Sequence, residues 1–263
     1  MSFEVLSLDL DGHLAVITLR RPEVLNALSR ELTAEVHAAL DEVAGVDDVR
    51  VLILTGEGRG FCSGADVTEW REAQLGRDDR SEPFERKSGI VQLASHLRSI
   101  PQPVIAAVNG TAAGAGLGLA LTSDIRIASE QAKFSSIFVK RSLVPDTASS
   151  YTLPMLVGHG IAAEMALTGN IYDAHWALSV GLVNRVVPAD HLMNTAISLG
   201  KIIAGNPPLT VRSIKQLLSS SYENIDAILS REGAANAPSE GSEDKVEAVR
   251  AFLEKRPPVF WGR

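Results

Sequence analysis

The sequence predicts an α/β fold: a β-rich spiral with helices on its flank, followed by a C-terminal helical region. An apolar strand that runs into a glycine-rich loop occurs twice, over residues 49–66 and over residues 103–122. Similar units stacked side by side build such a spiral. From Ser198 onward helical patterns dominate. We therefore expect a spiral core over residues 1–197 and a helical region over residues 198–263.

The N-terminal forty residues predict a hairpin and a helix. Apolar residues over 5–8 and 14–19 are typical of two strands, joined by a turn at Gly12. Ser29 is the predicted N-cap of a helix through Leu40, because apolar residues recur at helical spacing after it.

The strands of the two repeated units are wholly apolar, over residues 49–54 and 103–108. Because they lack alternation, we expect burial on both faces, as for a strand inside a covered sheet. A helix of small residues is predicted from Leu117, and a further short strand over residues 125–128.

Composition limits the classes of function. A net charge of −7 disfavours a nucleic-acid partner, and no apolar run approaches the roughly 20 residues that span a bilayer. The N-terminus lacks the features of a secretory signal, so we expect a cytoplasmic protein without membrane insertion. The single cysteine, Cys62, excludes an internal disulfide, and six scattered histidines give no zinc-ligand spacing, so no metal is expected. Basic pairs at Arg20-Arg21 and Lys255-Arg256 fit either a phosphorylated ligand or solvated surface charge.

The glycine-rich loops do not have the spacing of a nucleotide site. Gly114, Gly116 and Gly118 place Leu119 where the dinucleotide fingerprint needs a small residue, and no lysine follows as in a phosphate-binding loop. Strand ends that feed helix starts instead expose backbone N–H groups with partial positive charge. Such groups near Gly64 and Gly114 suit a developing oxyanion.

Three segments, in this order and spacing, resemble the enoyl-CoA hydratase/isomerase (crotonase) superfamily over essentially the whole chain. They are RPEVLNAL over residues 21–28, GFCSGADV over 60–67, and AAVNGTAAGAGLGLA over 106–120 followed by SDIR. The resemblance implies a crotonase-like spiral of β-β-α units with a C-terminal helical trimerisation region. It also implies an acyl-CoA substrate, no permanently bound cofactor beyond the coenzyme A of that substrate, and a homotrimer or dimer of trimers.

Carried over residue by residue, the resemblance implies that Ala65 and Ala115 donate the two oxyanion N–H groups. It also implies a set of residues that contact coenzyme A or the acyl group, with the last two commonly acting from a neighbouring subunit. These are Val24, Leu25, Ala27, Ser63, Gly64, Asp66, Val67, Gly116, Phe138, Phe252 and Lys255.

The two glutamates with which hydratases of this family activate water are replaced here by Gly118 and Phe138. The acid that remains at a position where relatives do chemistry is Asp146, where dienoyl-CoA isomerases and the ring-forming isomerase of phenylacetate breakdown hold a proton-shuttling aspartate. A related dehalogenase uses an aspartate there as nucleophile, but its histidine and tryptophan correspond to Val91 and Phe138. We therefore expect double-bond isomerisation, provided that burial beside Phe138 and Val144 raises the pKa of Asp146.

Three alternatives stay open at this point. Asp146 could simply cap a helix that begins at Thr147. The chain could be a hydratase with relocated acids, such as Glu69 and Glu72, or a non-catalytic acyl-CoA-binding protein. Cys62 is interpreted as a small buried filler rather than a nucleophile.

Overall fold

The computed structural model of the chain describes residues 3–69, 89–219, 225–236 and 242–259. Strands within these residues are β1 Leu6–Asp11, β2 Leu14–Leu19, β3 Val51–Gly56, β4 Gly60–Cys62, β5 Val104–Val108, β6 Thr111–Ala113, β7 Ile125–Ser129, β8 Lys133–Ser135, β9 Tyr172–Asp173 and β10 Arg185–Val187. Helices are α1 Arg30–Gly45, α2 Leu93–Ser99, α3 Ala115–Thr122, α4 Ser149–Thr168, α5 Ala174–Ser179, α6 Leu192–Ala204, α7 Pro208–Ser219, α8 Ile225–Asn236 and α9 Glu243–Leu253.

The N-terminal predictions are confirmed. Strands β1 and β2 pair antiparallel, and Gly12 in the turn has a φ of 58°, which glycine adopts without steric cost. Helix α1 begins after Ser29, whose side chain accepts a hydrogen bond from the Leu32 N–H. This helix runs five residues beyond the predicted Leu40.

The predicted spiral is confirmed, and it consists of paired strands. In the described residues the strands form a six-stranded sheet, ordered β1-β2-β3-β5-β7-β10, and a four-stranded sheet, ordered β4-β6-β8-β9. Each of the pairs β3–β4, β5–β6 and β7–β8 gives its first strand to the larger sheet and its second to the smaller one. Pairing is parallel between successive turns in both sheets. The three-residue strands of the smaller sheet were not predicted, because they are too short to show a period and two of them lie within the glycine-rich loops.

The larger sheet is covered on both faces, which explains its apolar strands. All six residues of β3 are buried. Leu52 and Leu54 belong to the main core, which includes α1 and α3. Ile53 points the other way and belongs to a second cluster that includes Ala196 of α6. Alternate residues of one strand therefore enter different cores, as the pleat requires.

The predicted boundary after residue 197 lies inside α6, which packs against the larger sheet. The helices that follow the sheet-packed α6 begin at Pro208. A buried ion pair fixes α7 to the core: Lys215 Nζ donates to the Gln102 carbonyl at 2.7 Å and lies 3.2 Å from the Asp124 carboxylate. The division into two regions stays a prediction.

Helix α7 is amphipathic, and its outer face leaves several large apolar side chains exposed. Such a face is typical of a surface that another chain covers, and the trimer implied by the resemblance stays a prediction. None of the helices in the described ranges is long and apolar enough to cross a membrane. The exposed apolar side chains of α7 are those of Leu209, Ile214, Leu217 and Leu218.

A pair of histidines joins α1 to α2. Nδ1 of His37 lies 2.7 Å from Nδ1 of His96, a hydrogen bond that requires a proton on only one of these nitrogens. The outer nitrogens face the Gly89 carbonyl at 3.2 Å and the Asp41 carboxylate at 3.2 Å. Protons on both Nδ1 atoms would place two N–H groups face to face.

We predict that this pair makes stability fall in mild acid. Burial lowers the pKa of His37, and His96 lowers it further, although the Gly89 carbonyl and Asp41 oppose the shift. Unfolded His37 therefore binds protons more readily, so its stabilising contribution is present above about pH 6.5 and is lost as pH falls below it. Urea unfolding at pH 7 and pH 5 should show a larger loss of unfolding free energy for the wild type than for His37→Gln. Equal losses would contradict the prediction.

Candidate active site

Three loops meet at one edge of the smaller sheet. Strands β4, β6 and β8 are parallel neighbours, so their carboxyl ends lie side by side. The loops that follow them are residues 63–66, 114–115 and 136–138. Loops at the carboxyl ends of parallel strands are a frequent place for ligand sites.

The first loop is held by a parallel bridge between Leu28 and Ala65. The Leu28 N–H donates to the Gly64 carbonyl at 2.8 Å, and the Asp66 N–H donates to the Leu28 carbonyl at 3.0 Å. In a parallel bridge, one residue bonds to both chain neighbours of its partner, and the partner's own N–H and carbonyl take no part. Here Leu28 bonds to Gly64 and Asp66, and Ala65 is the partner between them. The N–H of Ala65 therefore points away from Leu28.

The second loop places Ala115 at the first position of α3, where a backbone N–H has no acceptor within the helix. Gly114 and Gly64 both have positive φ, 53° and 97°. A Cβ on Gly64 would lie 3.4 Å from the Ala115 nitrogen and 2.9 Å from the Ala113 oxygen. The two loops therefore approach each other backbone to backbone. Two N–H groups in such an arrangement can stabilise negative charge on one oxygen.

Helix α3 packs directly on the strand that precedes the first loop. A Cβ on Gly116 would overlap the carbonyl oxygen of Cys62, so packing explains this glycine without a ligand. Cys62 is fully buried, and burial raises the pKa of its thiol to about 12, despite a hydrogen bond from Gly64. The thiol stays protonated at neutral pH, and the interpretation of Cys62 as a buried filler is confirmed.

The predicted coenzyme A turn lies against the first loop. Ser63 donates its N–H to the Leu25 carbonyl at 3.0 Å and its hydroxyl to the Val24 carbonyl at 3.0 Å. Leu25 and Asn26 both have a left-handed backbone, with φ of 53° and 56°. The structure therefore brings Val24, Leu25 and Ser63 together, while Ala27 is buried beneath them.

The carboxylate of Asp66 is used inside the protein. It accepts a hydrogen bond from the Arg21 guanidinium at 2.9 Å and two from Thr68, at 2.7 and 3.0 Å. Burial alone would raise the pKa of Asp66, but the hydrogen bonds from Thr68 and Arg21 outweigh it and hold the pKa below its usual value. Arg20 pairs with Glu57. Both arginines of this basic pair therefore have acidic partners.

The turn before α4 brings Thr147, the neighbour of Asp146, against α3. Thr147 donates its hydroxyl to Asp146 Oδ1 at 2.6 Å and is fully buried. A Cβ on Gly118 would lie 2.5 Å from Thr147 Oγ1 and 2.6 Å from Thr147 Cβ, so the threonine occupies the space beside this glycine. Gly118 follows Ala115 by three positions, which puts the two on one face of α3 about 5–6 Å apart.

The backbone of this turn is strained. Thr147 and Ala148 have φ of 48° and 57°, a region that costs an L-residue about 1–2 kcal/mol and is unusual for a β-branched side chain. Helix α4 begins at Ser149, with Ala148 at its N-cap and no side-chain capping bond there. The prediction that a helix begins at Thr147 is therefore wrong, because these left-handed residues delay it.

The sequence profile of the enoyl-CoA hydratase/isomerase family matches residues 10–263, which include these loops. The chain belongs to the enoyl-CoA hydratase/isomerase family. It is 39% identical over 249 residues, 94% of each chain, to the 1,2-epoxyphenylacetyl-CoA isomerase of Escherichia coli strain K12. It is 36% identical over 253 residues, 95% of this chain and 94% of the other, to a short-chain-enoyl-CoA hydratase of Clostridium acetobutylicum.

The fold agrees with solved structures of the family. A crystal structure of an enoyl-CoA hydratase/isomerase from Pseudoalteromonas atlantica T6c matches with a TM-score of 0.89 and 34% identity, covering 98% of this chain and 100% of that one. The predicted family, fold class and enzymatic nature are thereby confirmed. The relatives include both hydratases and isomerases, so family membership leaves the reaction open.

Other predicted site residues lie around the third loop and the C-terminal helix. A Cβ on Gly114 would lie 3.8 Å from the ring of Phe138, so this ring lines the second loop. The guanidinium of Arg141 lies 4.0 Å from the ring centre of Phe252 in the same chain. Lys255 is exposed after α9, whereas Arg256 makes a two-pronged ion pair with Glu247.

One of the two acids considered for a hydratase, Glu69, is bound to another part of the chain. Both carboxylate oxygens of Glu69 accept from the Arg30 N–H at 3.2 Å, at the first residue of α1. Glu72 lies outside the described residues. Across the described ranges no group of three or more histidine, cysteine or acidic side chains could hold a metal ion.

Two asparagines and Thr147 were missed by sequence reasoning. Asn26 and Asn109 both donate to the Gly60 carbonyl, at 2.8 and 3.0 Å, and so fix the start of β4. Each lies within a segment that carries the family resemblance, which is a signal that could have singled it out. Thr147 had no such signal, because its importance depends on the space left by Gly118.

We predict that Gly64→Ala lowers kcat about 100-fold, because the added Cβ would strain the loop and push it from Ala113, and losing one oxyanion donor costs about this much. Gly160→Ala is the matched control, since a Cβ there meets nothing within 4 Å. Steady-state kinetics of both variants would test this. A Gly64→Ala enzyme with the kcat of its control would show that the close approach of the loops is unimportant.

Proposed function

We propose that this enzyme moves a double bond within an acyl-CoA thioester, with Asp146 carrying the proton between two carbons. The thioester oxygen binds between the N–H groups of Ala65 and Ala115. The observation that carries the proposal is the position of Asp146: its carboxylate bonds to Thr147, which packs on Gly118, one helical turn from Ala115.

The reaction needs one carboxylate and one oxyanion site. The charged carboxylate of Asp146 removes a proton from a carbon that is acidified by the unsaturated thioester. The electrons move onto the thioester oxygen, where the two N–H groups stabilise the enolate. The protonated carboxyl then returns the proton to a different carbon, and the double bond has shifted without net gain or loss of atoms.

Addition of water is disfavoured by the packing as well as by the sequence. The Gly118 position, where hydratases of this family carry a glutamate, has no room for any side chain because Thr147 fills it. The second position is the buried Phe138. A hydratase here would therefore need both acids from elsewhere, and Glu69 is engaged by the N-terminus of α1.

Coenzyme A is proposed to lie along the turn that contains Val24, Leu25 and Ala27, beside Ser63 and Val67. The backbone of this turn is fixed by hydrogen bonds to the first loop. Because the carboxylate of Asp66 is paired with Arg21, we assign Asp66 a role in shaping the loop rather than in binding the ligand. The E. coli relative is itself an isomerase of a coenzyme A thioester, which supports this class of reaction.

We predict that Asp146→Asn loses isomerase activity by about 100- to 10,000-fold, the usual contribution of general acid–base catalysis, with little change in acyl-CoA binding. Asp190→Asn is the control, since the Asp190 carboxylate is 81% exposed and lies outside the segments that form the candidate site. The measurement is the conversion of a panel of unsaturated acyl-CoAs, followed by NMR in D₂O to locate the migrating proton.

The same experiment separates the alternatives. Wild-type activity in Asp146→Asn would disprove the proton-shuttle role. Incorporation of ¹⁸O from labelled water into the product would identify a hydratase. Tight binding of acyl-CoAs by calorimetry, with every ligand recovered unchanged by mass spectrometry, would identify a binding protein without turnover.

A further inference from the structure

The contacts around Thr147 point to a function for this residue, and the inference rests on the proposed role of Asp146. We infer that Thr147 is a positioning residue: its hydroxyl orients the Asp146 carboxylate and sets the pH range in which that carboxylate works as a base. Gly118 makes this possible, because the glycine leaves space for the threonine side chain.

The geometry of the hydroxyl supports this assignment. The Thr147 hydroxyl has one proton, and at 2.6 Å from Asp146 Oδ1 it donates that proton to the carboxylate. A bond of this length to a charged acceptor is in the strong range for hydroxyl donors. Because the donor and the acceptor are adjacent in the chain, the bond fixes the carboxylate relative to the turn itself.

The surrounding atoms prevent the Thr147 side chain from adopting another rotamer. Thr147 is fully buried, and its Oγ1 and Cβ both lie against the Gly118 position, with the Ser149 hydroxyl beside them. Its left-handed backbone sets the direction of the side chain. Strained residues of this kind persist where the surrounding structure over-determines them, and they cluster at active sites.

The hydrogen bond from Thr147 favours the charged form of the Asp146 carboxyl group. A hydroxyl that donates to the charged carboxylate stabilises that form, so the base stays ready at lower pH. In the proposed role, Thr147 therefore favours the charged form of Asp146 that removes the proton.

Two variants separate the effect of the Thr147 hydrogen bond from the effect of the shape of its side chain. Thr147→Val keeps the branched side chain and removes the donor, whereas Thr147→Ser keeps the donor and removes a methyl group. We expect Thr147→Val to lower kcat about 10- to 100-fold, the loss typical of a hydrogen bond to a charged group. We also expect the acid limb of its rate–pH profile to move upward by about one pH unit. Thr147→Ser should keep the wild-type profile.

The decisive readout is the pH profile, since a purely structural role would lower activity at every pH alike. An unshifted acid limb in Thr147→Val, or a shifted one in Thr147→Ser, would overturn the inference. If Thr147→Val fails to fold, Thr147→Ala removes the donor with a smaller side chain and must show the shifted limb.

Failure of the proposed function would look different. In that case Asp146→Asn keeps wild-type activity, and both the shuttle and its positioning residue are wrong. If Asp146→Asn is inactive while Thr147→Val keeps the wild-type profile, the shuttle stands and the role of Thr147 is rejected.

Discussion

The close approach of two backbone loops at the edge of the smaller sheet is the constraint on which the site depends. Parallel pairing of β4 with β6 brings the loops to the same edge. Glycine then sets their separation, because a side chain at Gly64 would meet Ala113 and one at Gly116 would overlap Cys62. The adjacent N–H groups of Ala65 and Ala115 are a consequence of this packing. In the proposed function the backbone of these two residues binds the thioester oxygen, so their side chains are expected to matter little.

A second packing relation, between Gly118 and Thr147, connects the sheet edge to the acid. Where a family hydratase extends a glutamate from α3, this chain has a glycine whose space is taken by the turn before α4. The turn is held in a left-handed conformation at Thr147 and Ala148, and it places Asp146 next to the threonine that packs on Gly118. In the proposed function, the glycine at position 118 therefore means both that α3 carries no water-activating acid there and that Thr147 has space to position Asp146.

The sequence predicted much of the fold because its signals are local. Alternation and turn chemistry identified the first hairpin, a serine cap identified α1, and continuous apolar runs identified the buried strands. The three-residue strands of the smaller sheet escaped because they are too short to show a period. The strained turn at Thr147 escaped for another reason: aspartate before small polar residues favours a helix cap, and no local sequence pattern marks the left-handed conformation of Thr147 and Ala148. The predicted boundary after residue 197 falls within α6, which packs on the larger sheet, and helical periodicity alone does not show where a helix packs.

A crystal structure with a saturated, and therefore unreactive, acyl-CoA or a slowly turned-over acyl-CoA bound would test the roles of the two loops and of Asp146 together. We expect the thioester oxygen to lie about 2.7–3.1 Å from both the Ala65 and Ala115 nitrogens. We also expect the Asp146 carboxylate to face the carbons of the acyl chain. A ligand whose carbonyl oxygen contacts neither nitrogen, or an Asp146 carboxylate turned away from the acyl chain, would contradict these expectations.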